Sequence, residues 1–286
     1  MDSLMKHLET SYTTHDGLKL FLQAWMPEQA KAVVLIVHGL GEHSSRYAHL
    51  AKKLVEKDIA VFTFDGRGHG KSCLPKPDAY FSNFEDYLKD IDALFGKVKT
   101  YVPNVPAFIF GHSMGGGLVA AYVLKYQPKA KGIVLTAAAL KPADDVSKFL
   151  IAASSVVSKL APRLKVLKLD SSKVSHDPIE VKKYDEDPLN YHEAIPARTG
   201  YELLRMMREI EEKSTQFKLP VLLLHGTGDM LTNPKGSEEF FGKISSQDKS
   251  FNKYPGLFHE LINEYEKEEI MEDIVKWIEG RFLKAS

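Results

Sequence analysis

Short apolar runs and longer stretches striped with apolar residues alternate along most of this chain. The run Ala32 to Val37 is continuous and rich in β-branched residues, as a strand buried on both faces requires. Before it, Leu8 to Thr14 and Lys19 to Met26 flank Asp16-Gly17, a dipeptide suited to a hairpin turn, so this stretch predicts an antiparallel pair. After it come a predicted helix over Leu50 to Glu56 and a strand over Ile59 to Phe64. Phe84, Leu88, Ile91, Phe95 and Val98 then recur at steps of four and three, which puts them on one buried helical face. Ser82 and Glu85 have the spacing of a capping box at the start of that helix. Ala107 to Phe110 predicts a strand, Met114 to Lys125 a helix and Gly132 to Ala137 a strand. Such alternation predicts an α/β fold, a mainly parallel sheet with helices on both faces.

The rhythm stops after Leu140. It resumes with a strand over Val221 to Leu224, a helix over Ser237 to Ile244, a strand over Ser250 to Tyr254 and a last helix near Glu266 to Phe282. The stretch between shows helical or irregular patterns and no convincing strand. The expected organisation is a core made of residues 1–139 and 217–286, with a cap over 140–216 inserted after the sixth of eight strands.

Composition then narrows the function classes. The 286 residues carry 38 Lys+Arg and 38 Asp+Glu, a formal charge of zero, which argues against a nucleic-acid partner because such proteins show a basic excess. The single cysteine, Cys73, cannot form an internal disulfide or a Cys-based zinc site, and it favours a reducing compartment. His38, His43 and His49 lack helical metal spacing with acidic partners, so no metal is expected. The segment Met1 to His7 is polar, and no apolar run approaches the ~20 residues of a membrane helix. A cytoplasmic protein is expected, with peripheral contact at membranes left open.

The sharpest chemical signal is Gly111-His112-Ser113-Met114-Gly115, a G-x-S-x-G between a predicted strand and a predicted helix. A serine on such a turn stands above the sheet edge, and the helix N-terminus turns its N–H groups toward developing negative charge. Serine needs a base, and the base needs an orienting acid. In this architecture they follow in the order Ser, Asp/Glu, His. Asp229 and His259 each lie just after a predicted strand, in that order; Asp144 or Asp145, after the preceding strand, is the rival acid. The two oxyanion donors expected are the N–H of Met114, after the nucleophile, and that of Leu40, in the loop His38-Gly39-Leu40-Gly41. Gly66-x-Gly68-x-Gly70 has the wrong spacing for a dinucleotide loop, and no phosphate loop occurs.

Together these residues resemble the α/β-hydrolase superfamily. Within it, the segment from His38 to Tyr47, Phe64-Asp65-x-x-Gly68-His69-Gly70-x-Ser72, Gly111 to Gly116 and Asp187-Pro188-Leu189 are similar to the monoacylglycerol lipase family, as are the loops carrying Asp229 and His259. The resemblance runs from about Thr14 to Trp277. It implies an α/β-hydrolase fold with an eight-stranded sheet and a helical cap. It also implies hydrolysis of monoacylglycerol to fatty acid and glycerol without a cofactor, with Glu42 and Arg46 as contacts on the glycerol side. The chain departs from mammalian members three residues after His259, where Ile262 replaces a second histidine, and the cap has no cysteine.

In the cap, Phe149, Leu150 and Ile151 begin an apolar stretch that continues through Val156, Val157 and Leu160, flanked by Lys148, Lys159, Arg163 and Lys165. These residues are expected either to line an acyl tunnel and touch a membrane or micelle, or simply to pack on the core. The expected activity is serine ester hydrolysis through an acyl-enzyme. Lysophospholipase or general carboxylesterase activity is the alternative, transacylation stays open, and a non-catalytic hydrolase-fold binding protein is disfavoured because all three candidate residues are present.

Overall fold

The computed structural model describes residues 5–142 and 148–282, and side chains 148–152 lie outside the described set. The hairpin strands β1 (Lys6–Thr13) and β2 (Lys19–Met26) turn at Asp16-Gly17, where Gly17 takes a φ of +85°. Then follow β3 (Ala32–Val37), α1 (Ala48–Val55), β4 (Ile59–Phe64), α2 (Phe84–Tyr101), β5 (Ala107–His112), α3 (Met114–Tyr126) and β6 (Gly132–Thr136). Beyond β6 come α4 (Lys148–Leu160), β7 (Lys165–Leu167), α5 (Pro178–Glu186), β8 (Ile195–Pro196) and α6 (Ala197–Lys213). The chain closes with β9 (Val221–Gly226), α7 (Pro234–Lys243), β10 (Lys249–Tyr254) and α8 (Lys267–Phe282).

The main sheet has eight strands in the order β1-β2-β4-β3-β5-β6-β9-β10. Only β2 runs against the others, pairing antiparallel with β1 and β4. The mainly parallel sheet flanked by helices is therefore the one expected. Alternation along β3 shows why it needs helices on both sides. Val33, Leu35 and Val37 face one way, into a core with α2, α3 and α6, while Val34 and Ile36 face a second core with α1 and α8. On α2 the stripe Phe84, Leu88, Ile91, Phe95 and Val98 is buried throughout.

Three local details differ from the sequence reading. The N-cap of α2 is Asn83, not Ser82: its Oδ1 accepts from Glu85 N at 3.0 Å, while the Phe84 N–H donates to Glu202 on α6 at 3.2 Å. A short ribbon, β7 with β8, occurs where no strand was expected; with three and two residues it is too short to show a periodicity. Finally, Leu203, Met206 and Ile210 on α6 are buried in the same core as α3, so the last part of residues 140–216 is continuous with the core. Among the described residues no helix is long and apolar enough to cross a membrane.

Candidate active site

Ser113 joins β5 to α3 at φ 53° and ψ −120°, a left-handed backbone that a residue with a Cβ avoids. The surroundings hold it there. Its N–H donates to the Thr136 carbonyl at 3.0 Å, and its own carbonyl accepts from Gly117 N and Ala139 N at 3.1 and 2.9 Å. The flanking glycines are needed for close approach. A Cβ on Gly111 would lie 2.6 Å from the Gly115 carbonyl oxygen, and one on Gly115 would collide with the carbonyls of Val37 and His38 at the end of β3.

His259, in the loop after β10, brings Nε2 to 2.9 Å from Ser113 Oγ. Its Nδ1 lies 2.7 Å from Asp229 Oδ2, in the loop after β9. Asp229 is buried and accepts further bonds: Leu231 N and Thr232 N on Oδ1 at 2.8 and 3.0 Å, and Thr232 Oγ1 on Oδ2 at 2.8 Å. His225 Nε2 also approaches Oδ2, at 3.1 Å, while its Nδ1 lies 2.7 Å from Ser237 Oγ. Burial alone would raise the Asp229 carboxyl; His259 and His225 overcome it and hold the group well below the usual carboxylate range. Burial likewise opposes a charged His259, but the Asp229 carboxylate outweighs it and raises the imidazole above its ordinary value. The structure thus brings together the three residues read from the sequence. The rival Asp144 and Asp145 lie outside the described residues.

Leu40 and Met114, the residues expected to supply the oxyanion donors, both line the cavity with Ser113. Met114 is the first residue of α3, so its N–H has no intrahelical acceptor. The loop after β3 passes so close to Ser113 that a Cβ on Gly39 would stand 3.1 Å from the serine Cβ, and Leu40 lines the same cavity. Glu42 fixes this loop from beneath, its Oε1 accepting from Gly39 N at 2.6 Å and from Tyr47 Oη at 2.7 Å.

The two residues expected on the glycerol side separate. Glu42 lines the cavity, but Arg46 is not among the lining residues. Its guanidinium is taken up by Glu260, at 2.6 and 2.7 Å, and by Glu42, at 2.9 Å. It also sits 4.9 Å from the centroid of the Tyr184 ring, so Arg46 reaches the cavity through these carboxylates and that tyrosine. Ile262 is buried in the core below, so the position of the missing histidine is filled by packing. Polar lining beside Ser113 comes instead from Glu260, His112 and Tyr184. Burial, helped by the neighbouring His259, pushes His112 down to about 4, and its ring centroid lies 4.8 Å from that of His259. Sequence reasoning missed His225, Thr232, Glu260 and Tyr184. His225 at the end of β9, Thr232 in the loop with Asp229 and Glu260 next to His259 all stand near the residues read from the sequence, but no spacing marks their roles; Tyr184, on α5, carried no signal.

The cavity in front of Ser113 measures about 520 Å³, within the range of small-molecule sites. Away from the polar cluster it is walled by Val157 of α4 and by Leu203, Leu204 and Met207 of α6. The side chains of Phe149, Leu150 and Ile151 lie outside the described residues, so their expected place on this wall is not described. Among the described residues no group of three His, Cys, Asp or Glu side chains could hold a metal ion. A serine hydroxyl in contact with a buried imidazole–carboxylate pair, at the N-terminus of a helix, can carry out acyl transfer.

Residues 28–266 match the sequence profile of the hydrolase family described as serine aminopeptidase, S33. The chain is 32% identical over 271 residues to a monoacylglycerol lipase of Mycolicibacterium smegmatis, covering 94% of this chain and 96% of that one. It is 31% identical over 274 residues to the monoglyceride lipase of Rattus norvegicus, covering 94% and 90% of the two chains. The crystal structure of Paleococcus ferrophilus monoacylglycerol lipase is similar with a TM-score of 0.81 and 30% identity, covering 97% of this chain and all of that one.

Proposed function

The chain belongs to the monoacylglycerol lipase family of the α/β-hydrolase superfamily, and from that premise we propose that it cleaves monoacylglycerol to a free fatty acid and glycerol. The observation that carries this reading is the line Ser113–His259–Asp229 opening into a cavity whose far wall is apolar. His259 Nε2 accepts the Ser113 proton as Oγ attacks the ester carbonyl. The N–H groups of Leu40 and Met114 donate to the tetrahedral oxyanion. His259, now charged and held by Asp229, gives its proton to the leaving glycerol oxygen. Water then attacks the acyl-enzyme with His259 again as base, releasing the fatty acid. The acyl chain lies along the α4 and α6 wall and the glycerol faces Glu42, Glu260 and Tyr184.

The reading extends to where the substrate is met. On α4 and the turn after it, Val156, Leu160 and Leu164 are exposed, with Lys159, Arg163 and Lys165 around them. An apolar tip with a basic rim suits a lipid surface. We therefore propose a cytoplasmic enzyme that touches membranes through its cap.

A product assay offering monoacylglycerol, lysophospholipid, short esters and an aminoacyl amide side by side tests the substrate class. Fatty acid released mainly from monoacylglycerol is the expected result; a strong preference for short soluble esters or for the amide would overturn it. A fluorophosphonate should label the protein, and Ser113→Ala should be both unlabelled and inactive.

A further inference from the structure

The segment Asp187-Pro188-Leu189 takes no part in the chemistry above, yet it stands where residues 140–216 meet the loop after β3. Asp187 ends α5, and its two carboxylate oxygens do different work. Oδ1 accepts from Leu189 N at 2.8 Å, closing the turn on itself. Oδ2 lies 2.8 Å from Nε2 of buried His43. The same turn is tied internally by Asn190 N and His192 Nε2 on the Asp187 carbonyl, at 3.1 and 2.9 Å. Four residues past Asp187, Tyr191 N donates to the Gly41 carbonyl at 2.8 Å. Gly41 itself adopts φ +77°, and a Cβ there would stand 3.3 Å from both Tyr184 Oη and the Tyr191 carbonyl. The turn thus grips the loop at Gly41 and at His43, immediately after Leu40.

We propose that Asp187 is a positioning residue: through His43 it fastens the cap to the oxyanion loop, so that the Leu40 N–H is aimed at the reaction centre only while the cap is seated. The two ties have the chemistry this requires. An ionised carboxylate only accepts, so His43 Nε2 carries the proton and donates. The carboxyl stays ionised: burial opposes it, but the bonds from His43 and Leu189 hold it below the usual range. His43 Nδ1 is buried with no partner among the described residues, so the ring has no second anchor through its nitrogens. Immediately after His43, Ser44 N and Oγ donate to Asp65 Oδ1 at 2.8 and 2.5 Å, which fixes the far end of the loop to the core. The stretch around Leu40 is held from beneath by Glu42 through Gly39 N, and from the other side by the cap through Gly41 and His43.

The inference rests on the serine-hydrolase reading, and the experiment separates the two. Asp187→Asn keeps an oxygen for Leu189 N, so the turn is retained, but it offers His43 an amide N–H2, which Nε2 can accept only by moving its proton to Nδ1, a buried site with no acceptor among the described residues. With active sites titrated by fluorophosphonate, kcat on a short soluble p-nitrophenyl ester is expected to fall on the order of tenfold, a part of the roughly 10²–10³ that a lost oxyanion donor costs. KM should stay within about twofold, because the oxyanion contact is made in the transition state. Affinity for a boronic acid that forms a tetrahedral adduct on Ser113 should fall by the same factor as kcat. His43→Ala should behave alike, the double variant should be no worse than either single one, and His43→Gln, which keeps an amide donor toward Asp187, should restore most of kcat. Unchanged kcat per titrated site, a loss confined to KM for long-chain substrates, or additive losses in the double variant would overturn the proposal while leaving the hydrolase reading intact. Wild-type protein inert to both ester and fluorophosphonate would overturn both.

Discussion

His259 must be neutral to take the Ser113 proton, and the same Asp229 carboxylate that orients it also raises its affinity for a proton. The sign of the pH dependence follows. Burial pulls His259 down, Asp229 pulls it up, and the carboxylate wins, so the group titrates above the ordinary 6.5. Activity on a neutral ester is therefore lost as pH falls, with the midpoint of kcat/KM above that value. Asp229→Asn removes the raising influence and leaves burial, so the midpoint should move to lower pH while the rate drops on the order of 10⁴-fold. A pH–rate series on both proteins checks this, and an unmoved midpoint would assign the titration to another group. Much of this residue-level chemistry was legible beforehand. Ser113, Asp229 and His259 each stand at a strand end in a fixed chain order. The partners that hold Asp229 were harder to read. Thr232 approaches it only because the loop after β9 folds back, which no spacing announces. The resemblance puts Arg46 on the glycerol side, and no local spacing shows that its counter-charge is Glu260, 214 positions away in the chain.

At the scale of elements, glycine has opposite meanings in two helices, and the structure separates them. Gly115 opens α3 against the end of β3, where the carbonyls of Val37 and His38 leave no room for a Cβ. Gly115→Ala should push α3 away from the oxyanion loop. The expected cost is roughly 1–3 kcal/mol from overpacking, seen as a lower Tm, with a loss of kcat beyond it. Gly96 is exposed on α2, and a Cβ there meets nothing within 4 Å. Gly96→Ala should stabilise the protein by roughly 0.5–1 kcal/mol, the helix penalty of glycine, without changing activity. Urea unfolding of both variants is the measurement; similar effects in the two would show that helix propensity and not close approach governs both. The elements themselves were read from pattern because buried runs such as β3 and the stripe of α2 are long. The ribbon of β7 and β8 was not, because its pairing is set by the approach of distant segments. The true cap of α2 was missed for a similar reason: Glu202 on α6 takes the Phe84 N–H, and only the packed fold brings it there.

At the scale of the whole molecule, parallel pairing of β3, β5, β6, β9 and β10 sends the loops with Leu40, Ser113, Asp229 and His259 to one edge of the sheet, as open parallel sheets do. The sequence showed that edge because each loop follows its strand directly. It did not show how residues 140–216 lie over it, since their contacts with the loops run through single side chains and backbone groups. Nor did it show which apolar positions of α4 face inward. Val157 lines the cavity, whereas Leu160 is 81% and Val156 59% exposed, so the helix divides its apolar residues between the cavity and the outside. Leaving such side chains in water costs roughly 1.5–3 kcal/mol each relative to burial, and a lipid surface removes that cost. Leu160 and Leu164 are the places to test it, because neither lines the cavity. Leu160→Ser with Leu164→Ser should weaken binding to monoacylglycerol-containing vesicles by tenfold or more, on the order of what two unburied leucines imply. Turnover of dispersed lipid should fall with it. Hydrolysis of a short soluble ester, which needs the Ser113 site but no interface, should be unchanged. Vesicle sedimentation and the two assays run in parallel distinguish the cases. Equal loss on both substrates would mean that these leucines shape the cavity indirectly, and no loss on either would mean that lipid reaches Ser113 without touching this face.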